Sequence, residues 1–498
     1  MKHPLSRQRA KIGLYTVGLQ AYWDQFPGLR ERLLHYGGFI AKKLEETCDV
    51  CYFGLVDDPA SGRAAGEYFA QKGVDLLFLH AGTYCTSASA LPVHQACGAP
   101  VVILNLQPTA AMAYDVTGTG EWLANCGACP VPEFTCALGR CGIKAATVSG
   151  LLGMEASSAG AAADENTAQH PAARRAWQEI GEYVQAAAVK RNLTGARFGF
   201  LGGNYAGMLD LYSDFTQLQD GFKIHIEPLE MCDLHACMEG ASEEDVRNKL
   251  AEIESFFQMP AADAADPIVA RPEGEELAWT ARVACGEQAL VESRGLSALT
   301  YYYHGAGGNL YERMGAGLIV GNSLLTAAGV PCAGEGDMKT AAAMKICDLL
   351  DAGGSFSEIV AADYNRDTII MGHDGPFHIR IAAEKPLLRS MRLYHGKRGA
   401  GVSVEAQVRP GPVTLFGVTQ TAAGRLKCII SEAEAIDAPT LQIGNTQTHI
   451  RFPMDVDTYY SRLFAEAPTH HCAMGVGHIA SLLEKTAELL GIDWVRIC

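Results

Sequence analysis

The feature that most constrains the fold is a regular alternation of apolar strand-like runs with helical patterns in the first part of the chain. The helical patterns include FPGLRERLLHYGGFIAKKLEE and AAGEYFAQKG. The strand-like runs are apolar throughout, which is typical of a parallel sheet covered on both faces. This alternation predicts a doubly wound α/β domain at the N-terminus. The strand-like runs are KIGLYTVG, VCYFGLV, VDLLFLH and PVVILNL.

Two further changes of texture divide the rest of the chain. Residues 155–175 are rich in Ala, Ser and Gly and predict a surface linker, after which a second α/β unit begins at ARFGFLGGNYAGMLDLY. Beyond about residue 355, short strands follow one another without intervening helices, which predicts an antiparallel sheet or small barrel. A final helix is predicted from AMGVGHIASLLEKTAELLG. At 498 residues and roughly 150 residues per domain, we expect two doubly wound parallel-sheet α/β domains (1–190 and 191–354) and a C-terminal antiparallel β-rich, barrel-like domain (355–498).

Charge and composition exclude several classes of partner. The formal net charge of −16 repels nucleic acid and anionic membranes, so neither is expected as a partner. No apolar run approaches the roughly 18 residues that a membrane-spanning helix needs. Sixteen scattered cysteines suit a reducing compartment, and we expect a cytoplasmic protein. A structural zinc or iron–sulfur site at CGACPVPEFTCALGRC is an alternative, but its spacing matches no standard ligand pattern.

Carboxylates and imidazoles recur at the ends of predicted elements in the C-terminal half. In CAGEGDMKTAAAMKI, Glu335 and Asp337 lie in a tight turn before an apolar helix, where simple capping is the alternative to a functional role. Asp363 precedes a predicted strand that ends at His373. Hard cations such as Mn²⁺ favour carboxylate oxygens supplemented by imidazole. For His378 we prefer a structural role.

Two further groups complete the candidates. His470 and His471 are adjacent just before the predicted final helix, and side chains of neighbouring extended residues point to opposite sides, so we expect only one of them to face a shared ligand. His478 is expected to pack within that helix. Gln20 and Trp23 follow the first strand, at the carboxyl edge where parallel sheets bind ligands. An aromatic ring beside an amide suits a sugar, and ordinary packing is the alternative.

At these motifs the sequence resembles the L-arabinose isomerases and, more distantly, the L-fucose isomerases across nearly the whole chain. AGEGDMKTAAAMKI is the most specific match. It is followed, in order and at comparable spacing, by the ADY segment, by GH with IAAEKP, and by THH. The resemblance implies three domains, two α/β and one β-rich, and homo-oligomers, commonly hexamers, whose active sites lie between subunits.

The resemblance also implies a metal site and a sugar pocket. A competing alignment through SFSE puts Glu358 in the place of Asp363, but the following strand is then harder to align, and the fucose-type pattern also has Asp. Gln20 matches a substrate-contacting glutamine. The expected ligands of Mn²⁺, or of another divalent cation such as Co²⁺ or Mg²⁺, are Glu335, Asp363, His373 and His471.

The implied reaction interconverts a free aldose and its ketose. Glu335 and Asp363 would exchange a proton between C1 and C2 through a cis-enediol while the metal polarises the carbonyl, and a metal-assisted hydride shift needs the same ligands. The chain departs from the arabinose-type pattern at ALTYYYHGAGG, where His304 replaces an acidic residue, and near Cys129, where a histidine is lost. We expect Gln20, Trp23, His304 and His470 to contact the monosaccharide.

Two other functions compete with the isomerase. A non-catalytic sugar-binding protein can also be built from two α/β domains with a cleft, but it has no need of four metal ligands. A nicotinamide-dependent oxidoreductase is suggested by LGGNYAG, but the glycines lack the GxGxxG spacing, and a tight turn in an ordinary βαβ unit explains them better.

Overall fold

The computed structural model describes residues 7–155, 166–394 and 396–498. The chain divides into two compact units, the first being Gln8–Arg191 and the second holding Asn192–Cys498 together with Arg7. The two units do not test the three predicted domains, whose boundaries near residues 190 and 354 stay a prediction. Residues 156–165 of the predicted linker lie outside the described residues.

The first unit is built on a five-stranded parallel sheet in the order β2-β1-β3-β4-β5. β3 is buried along its whole length, as a strand covered on both faces must be. The predicted doubly wound sheet is thereby confirmed. The strands are β1 (Lys11–Val17), β2 (Asp49–Val56), β3 (Leu76–Ala81), β4 (Val101–Gln107) and β5 (Ala145–Leu151). The helices are α1 (Tyr22–Gln25), α2 (Leu29–Leu44), α3 (Pro59–Lys72), α4 (Ser87–Cys97), α5 (Thr119–Ala124), α6 (Val131–Arg140) and α7 (Pro171–Leu193).

The second unit opens with a parallel sheet in the order β10-β9-β6-β7, which confirms the second α/β region. β8 belongs to a separate small sheet. The strands are β6 (Arg197–Gly202), β7 (His225–Leu229), β8 (Val269–Ala270), β9 (Leu296–Tyr302) and β10 (Cys332–Ala333). The helices are α8 (Phe215–Phe222), α9 (Met231–Glu239), α10 (Glu243–Phe256), α11 (Gly274–Arg294), α12 (Leu310–Ala316), α13 (Ile319–Ala327) and α14 (Met338–Leu349).

A closed antiparallel barrel follows, as predicted. Six strands run around it in the order β15-β18-β11-β12-β17-β16, and pairing of β15 with β16 closes it, so the barrel leaves no free edge. β19 extends β16 in parallel, while β13 and β14 form the small sheet with β8. The strands are β11 (Gly353–Asp363), β12 (Thr368–His373), β13 (Leu387–Met391), β14 (Gly401–Glu405), β15 (Gly411–Gln420), β16 (Leu426–Ile436), β17 (Thr446–Arg451), β18 (His471–Val476) and β19 (Asp493–Arg496). The helices are α15 (Val456–Ala465) and α16 (Ala480–Leu490).

The predicted start of the final helix is wrong. The segment HCAMGV is strand β18, and α16 begins only at Ala480, so His478 lies between the two elements and not within a helix. A short run of small apolar residues has no distinct period, so the sequence does not separate a strand from the first turn of a helix. β18 therefore carries His471, one of the candidate ligands.

No helix in the described ranges combines the length and the apolar character that crossing a bilayer takes.

Candidate metal centre

The candidate site begins at the turn between β10 and α14, where Glu335 adopts a left-handed backbone conformation with φ of 62°. Such a conformation costs a non-glycine residue about 1–2 kcal/mol, so surrounding contacts have to impose it. The backbone N–H of Tyr205 donates to the carbonyl oxygen of Glu335 at 3.0 Å. The Asn204 side chain donates to the carbonyl oxygen of Gly336 at 2.8 Å. Both donors belong to the LGGNYAG turn, which therefore holds the backbone of the candidate site.

The glycines of that turn have a packing role. Gly202 has a φ of +81°, and a Cβ there would lie 2.1 Å from the carbonyl oxygen of Tyr302 on the neighbouring strand. No helix follows directly, because α8 starts at Phe215. This geometry favours the tight turn over the dinucleotide-binding alternative.

Asp337 caps α14 and also orients His471. One carboxylate oxygen accepts from the backbone N–H groups of Lys339 and Thr340 at 3.0 and 3.1 Å, and the other lies 3.0 Å from Nδ1 of His471. Burial alone would raise the pKa of Asp337, but the hydrogen bond with His471 and the charge of Lys339 lower it to about 2. Asp337 thus engages Nδ1 of His471, and Nε2 faces the site. Both proposed roles of this turn, capping and function, are compatible with the geometry.

Strand register brings three more side chains to this point. β11 lies between β18 and β12, and Glu358 is directly opposite His471 on one side and Gly372 on the other. His373 ends β12 immediately after Gly372, as predicted for that residue. Glu335, Glu358, His373 and His471 are called the carboxylate–histidine cluster below.

Distances within the carboxylate–histidine cluster are short. Glu335 Oε2 is 3.4 Å from His471 Nε2. His373 Nε2 is 3.8 Å from Oε1 of Glu335 and also 3.8 Å from Oε1 of Glu358. Ligand atoms of Glu358, His373 and His471 all lie within 4.8 Å of one another, and so do those of Glu335, His470 and His471. The two groups share His471, which is therefore the central candidate ligand.

Charges around Glu335 keep its carboxylate ionised. Burial opposes ionisation, but His471, Lys397 and His373 together hold the pKa of Glu335 well below its usual range. Lys397 Nζ lies 3.0 Å from Glu335 Oε1 and 2.5 Å from Asp374 Oδ1. Asp374 Oδ1 is also 3.1 Å from His373 Nδ1. Neither Asp374 nor Lys397 was anticipated from the sequence, although Asp374 directly follows His373.

The two histidines differ in their electrostatic surroundings. Burial favours the neutral ring in both, but Asp337 and Glu335 outweigh it and raise the pKa of His471 to about 9. For His373, burial and the charge of Lys397 lower the pKa despite the opposing effect of Asp374. A metal ion binds only the neutral ring, so occupation of the site would release a proton from His471.

The donor set fits a divalent cation. Among the described residues, the buried atoms Glu335 Oε2 and His471 Nε2 have no hydrogen-bond partner, an arrangement that is costly unless a ligand completes it. Two carboxylates with two imidazoles suit Mn²⁺ and similar ions, and carboxylates that hold the outer nitrogen of a ligating histidine are common at metal sites.

Asp363 does not belong to this cluster. It ends β11, and its carboxylate accepts from the backbone N–H groups of Asn365 and Arg366 and from the Arg366 guanidinium. It lies five positions beyond Glu358 on the same strand, a distance of about 16 Å at ~3.3 Å per residue. Asp363 therefore caps the β11–β12 hairpin. The structure brings Glu358, and not Asp363, next to His373 and His471, as the alternative alignment through SFSE implies.

Both neighbouring histidines approach the site, contrary to the expectation that only one would. His470 Nε2 is 3.9 Å from Oε2 of Glu335 and 3.9 Å from Oε2 of Glu358, while its Nδ1 lies 2.6 Å from Asp210 Oδ2. Side chains alternate between the two faces of a sheet only within a strand. Because β18 begins at His471, this rule does not apply to His470.

The remaining sequence candidates lie in different places. His304 is exposed and stacks near Tyr302 with 6.2 Å between ring centroids. His378 is buried outside the cluster, where burial lowers its pKa to about 4. In the first unit, Gln20 is exposed just after β1, and Trp23 on α1 donates from Nε1 to Asp57 at 2.8 Å. Their predicted contact with a sugar stays a prediction.

The cysteine-rich segment does not form a comparable group. All sixteen cysteines are free thiols, and Cys129, Cys136 and Cys141 are exposed. Among the described residues, the groups able to hold a metal ion contain carboxylates and histidines but no cysteine.

Two curated proteins resemble part of the sequence. The L-arabinose isomerase of Herpetosiphon aurantiacus is 23% identical over 338 residues, covering 64% of this chain and 65% of that protein. The L-arabinose isomerase of Yersinia pseudotuberculosis is 24% identical over 274 residues, covering 53% of each chain. The chain thus spans between about half and two thirds of the length of these relatives. No family model matches the sequence.

Two solved structures match the chain at a low level. An ABC transporter solute-binding protein from Burkholderia multivorans matches with a TM-score of 0.18 and 12% identity over 59% of this chain and 80% of that one. A periplasmic solute-binding protein from Actinobacillus succinogenes, with bound D-allose, has a TM-score of 0.15 and 12% identity over 66% and 78%. Similarity at this level carries no argument about function. The curated relatives support a distant relationship to L-arabinose isomerases.

Proposed function

We propose that this protein is a divalent-metal-dependent isomerase that interconverts a free aldose and its ketose. One observation carries the proposal: Glu335 Oε2 and His471 Nε2 are buried 3.4 Å apart without hydrogen-bond partners among the described residues, beside Glu358 and His373. The distant relationship to L-arabinose isomerases agrees with it. The proposed ligands are Glu335, Glu358, His373 and His471, and the proposed ion is Mn²⁺, with Co²⁺ or Mg²⁺ as substitutes.

The side chains of the cluster are suited to moving a proton between adjacent carbons. The ion, when bound, supplies Lewis-acid polarisation of the sugar carbonyl. Glu335 is held ionised by its neighbours, so it is available to accept a proton from C2 of an aldose. The proton on Glu335 is then returned at C1, while Glu358, which approaches from β11, can carry the hydroxyl proton from O2 to O1, so both carboxylates end the reaction as they began. A direct hydride shift between the two carbons would use the same residues as ligands only.

Parts of the proposal extend beyond the cluster. We assign His470 to the sugar because its ring faces Glu335 and Glu358 and is half-exposed. Gln20, which matches a substrate-contacting glutamine of the family that the sequence resembles, is proposed to contact the sugar together with Trp23 and His304. A homo-oligomer, commonly a hexamer in the family that the sequence resembles, with active sites between subunits and a cytoplasmic location also belong to the proposal.

The test is a screen of free aldoses with the metal-free protein and after addition of Mn²⁺, Co²⁺ or Mg²⁺, with ketose formation as the readout. We expect turnover of at least one sugar that depends on added metal. Titration of Mn²⁺ into wild type and Glu335→Gln, followed by calorimetry, measures the site without turnover, and the variant should bind at least tenfold more weakly.

The outcomes separate the competing functions. Sugar binding without turnover under any metal would favour a non-catalytic binder, whereas a tight complex with NADH would favour the oxidoreductase. Unchanged Mn²⁺ affinity in Glu335→Gln would show that the metal centre is misplaced.

A further inference from the structure

Lys397 places an ammonium group beside the carboxylates and imidazoles of the carboxylate–histidine cluster. It lies in the segment between β13 and β14, and its side chain is 22% exposed. The ammonium group contacts Glu335 Oε1 at 3.0 Å and Asp374 Oδ1 at 2.5 Å. It thus forms ion pairs with one proposed ligand and with the neighbour of another.

The ammonium and a divalent cation would need the same negative charge. Glu335 is buried, and an ionised buried carboxylate requires a positive partner at short range. Lys397 provides such a partner at 3.0 Å, beside the His471 ring at 3.4 Å. A divalent cation on Glu335 would lie close enough to repel the ammonium strongly, because Coulomb interactions in a poorly solvated site are weakly screened.

The surroundings give Lys397 a second acidic partner. Lys397, Glu335 and Asp374 line a common cavity of about 60 Å³, bordered by Tyr302 and Tyr394. Asp374 can retain the ammonium when Glu335 is taken over by another cation, so the lysine remains paired in both states.

We propose that Lys397 is the internal cation of the metal-free site and that it competes with the divalent ion for Glu335. Lys397 then lowers the affinity of the site for the ion and stabilises the protein that lacks it. This inference rests on the proposed function, since it presupposes that the carboxylate–histidine cluster holds a metal. The opposite role is a lysine that positions Glu335 for the ion, in which case its loss would weaken metal binding.

The experiment compares Mn²⁺ binding by calorimetry and thermal unfolding of the metal-free full-length protein for Lys397→Gln and Lys397→Met. We expect both variants to bind Mn²⁺ roughly ten- to a hundredfold more tightly, the range set by loss of one charge-assisted hydrogen bond. The metal-free variants should unfold at a lower temperature, and added Mn²⁺ should raise it by more than in wild type. Lys397→Gln keeps a polar side chain, so it serves if Lys397→Met does not fold.

Two controls share the segment. Lys397→Arg keeps the charge and should leave the Mn²⁺ affinity close to that of wild type. Arg392→Gln removes an exposed charge of the same segment that does not line this cavity, and it should change neither quantity. Equal or weaker Mn²⁺ binding in both neutral variants would overturn the inference and leave the metal centre intact. Absence of Mn²⁺ binding in wild type and variants alike would instead overturn the metal centre itself.

Discussion

The backbone of Glu335 shows how much of the candidate site depends on single residues. Its left-handed conformation is unfavourable for any residue with a side chain, yet glycine, which would relieve the strain, would remove the carboxylate. Strain of this kind is common where a side chain has to point into a functional site. The contacts of Tyr205 and Asn204 with this turn compensate for it.

Glu358 and Asp363 offer a matched pair of substitutions on one strand. Glu358→Gln should weaken Mn²⁺ binding at least tenfold, because it removes a charged ligand next to His373 and His471. Asp363→Asn should leave Mn²⁺ binding unchanged and lower the unfolding free energy only slightly, through weaker capping of an exposed hairpin. Calorimetric titration and urea denaturation of both variants check this. If both variants lost Mn²⁺ affinity to the same extent, Asp363 would again be a candidate ligand.

At the scale of the elements, the sequence predicts the architecture better than the site. Apolar strands alternating with helices predicted the parallel sheets, and successive strands predicted the barrel. Pairing between β11 and β18 joins segments far apart in the chain, and no local pattern specifies it. The choice between Glu358 and Asp363 depends on that register. Lys397 comes from a segment without a recognisable motif, so only the folded structure places it.

The turn before α14 can be tested by two glycine substitutions. Gly336 has a φ of +74°, and a Cβ there would lie 2.2 Å from the carbonyl oxygen of Gly203, so Gly336→Ala has to displace backbone. We expect a loss of more than about 2 kcal/mol in stability and weaker Mn²⁺ binding. Gly203→Ala is the control, because no atom lies within 4 Å of its Cβ. Urea denaturation and metal titration should separate the two, and similar values would argue against a tightly held turn.

For the molecule as a whole, one buried acid outside the site makes stability depend on pH. Glu287 on α11 is fully buried, and neither of its carboxylate oxygens has a hydrogen-bond partner among the described residues. Burial raises its pKa well above the ordinary value, and the charge of Lys249 only partly opposes this. The folded protein therefore keeps Glu287 protonated at a pH where the unfolded chain has released that proton.

The sign of the resulting pH dependence follows from proton linkage. Above the ordinary pKa of a glutamate, folding takes up a proton at Glu287, so its contribution to stability falls as the pH rises towards the folded-state pKa, by up to about 1.4 kcal/mol per pH unit. Glu287→Gln does not titrate, so relative to wild type it should gain stability between pH 5 and pH 7. Urea denaturation at several pH values measures the difference. Glu292 is exposed on the same helix, so the unfolding free energy of Glu292→Gln should depend on pH in the same way as that of wild type. The same pH dependence in Glu287→Gln would contradict the prediction.

The position of β18 in the barrel has a consequence for synthesis of the protein. This strand is inserted between β15 and β11, although it is translated after both, and it carries His471. In a nascent chain that ends at α15, this place in the barrel wall is open and Glu358 lacks its strand neighbour His471. The cluster forms only after the segment beyond α15 has been synthesised and β18 has entered the gap, so a chain that stops at α15 lacks the candidate metal centre.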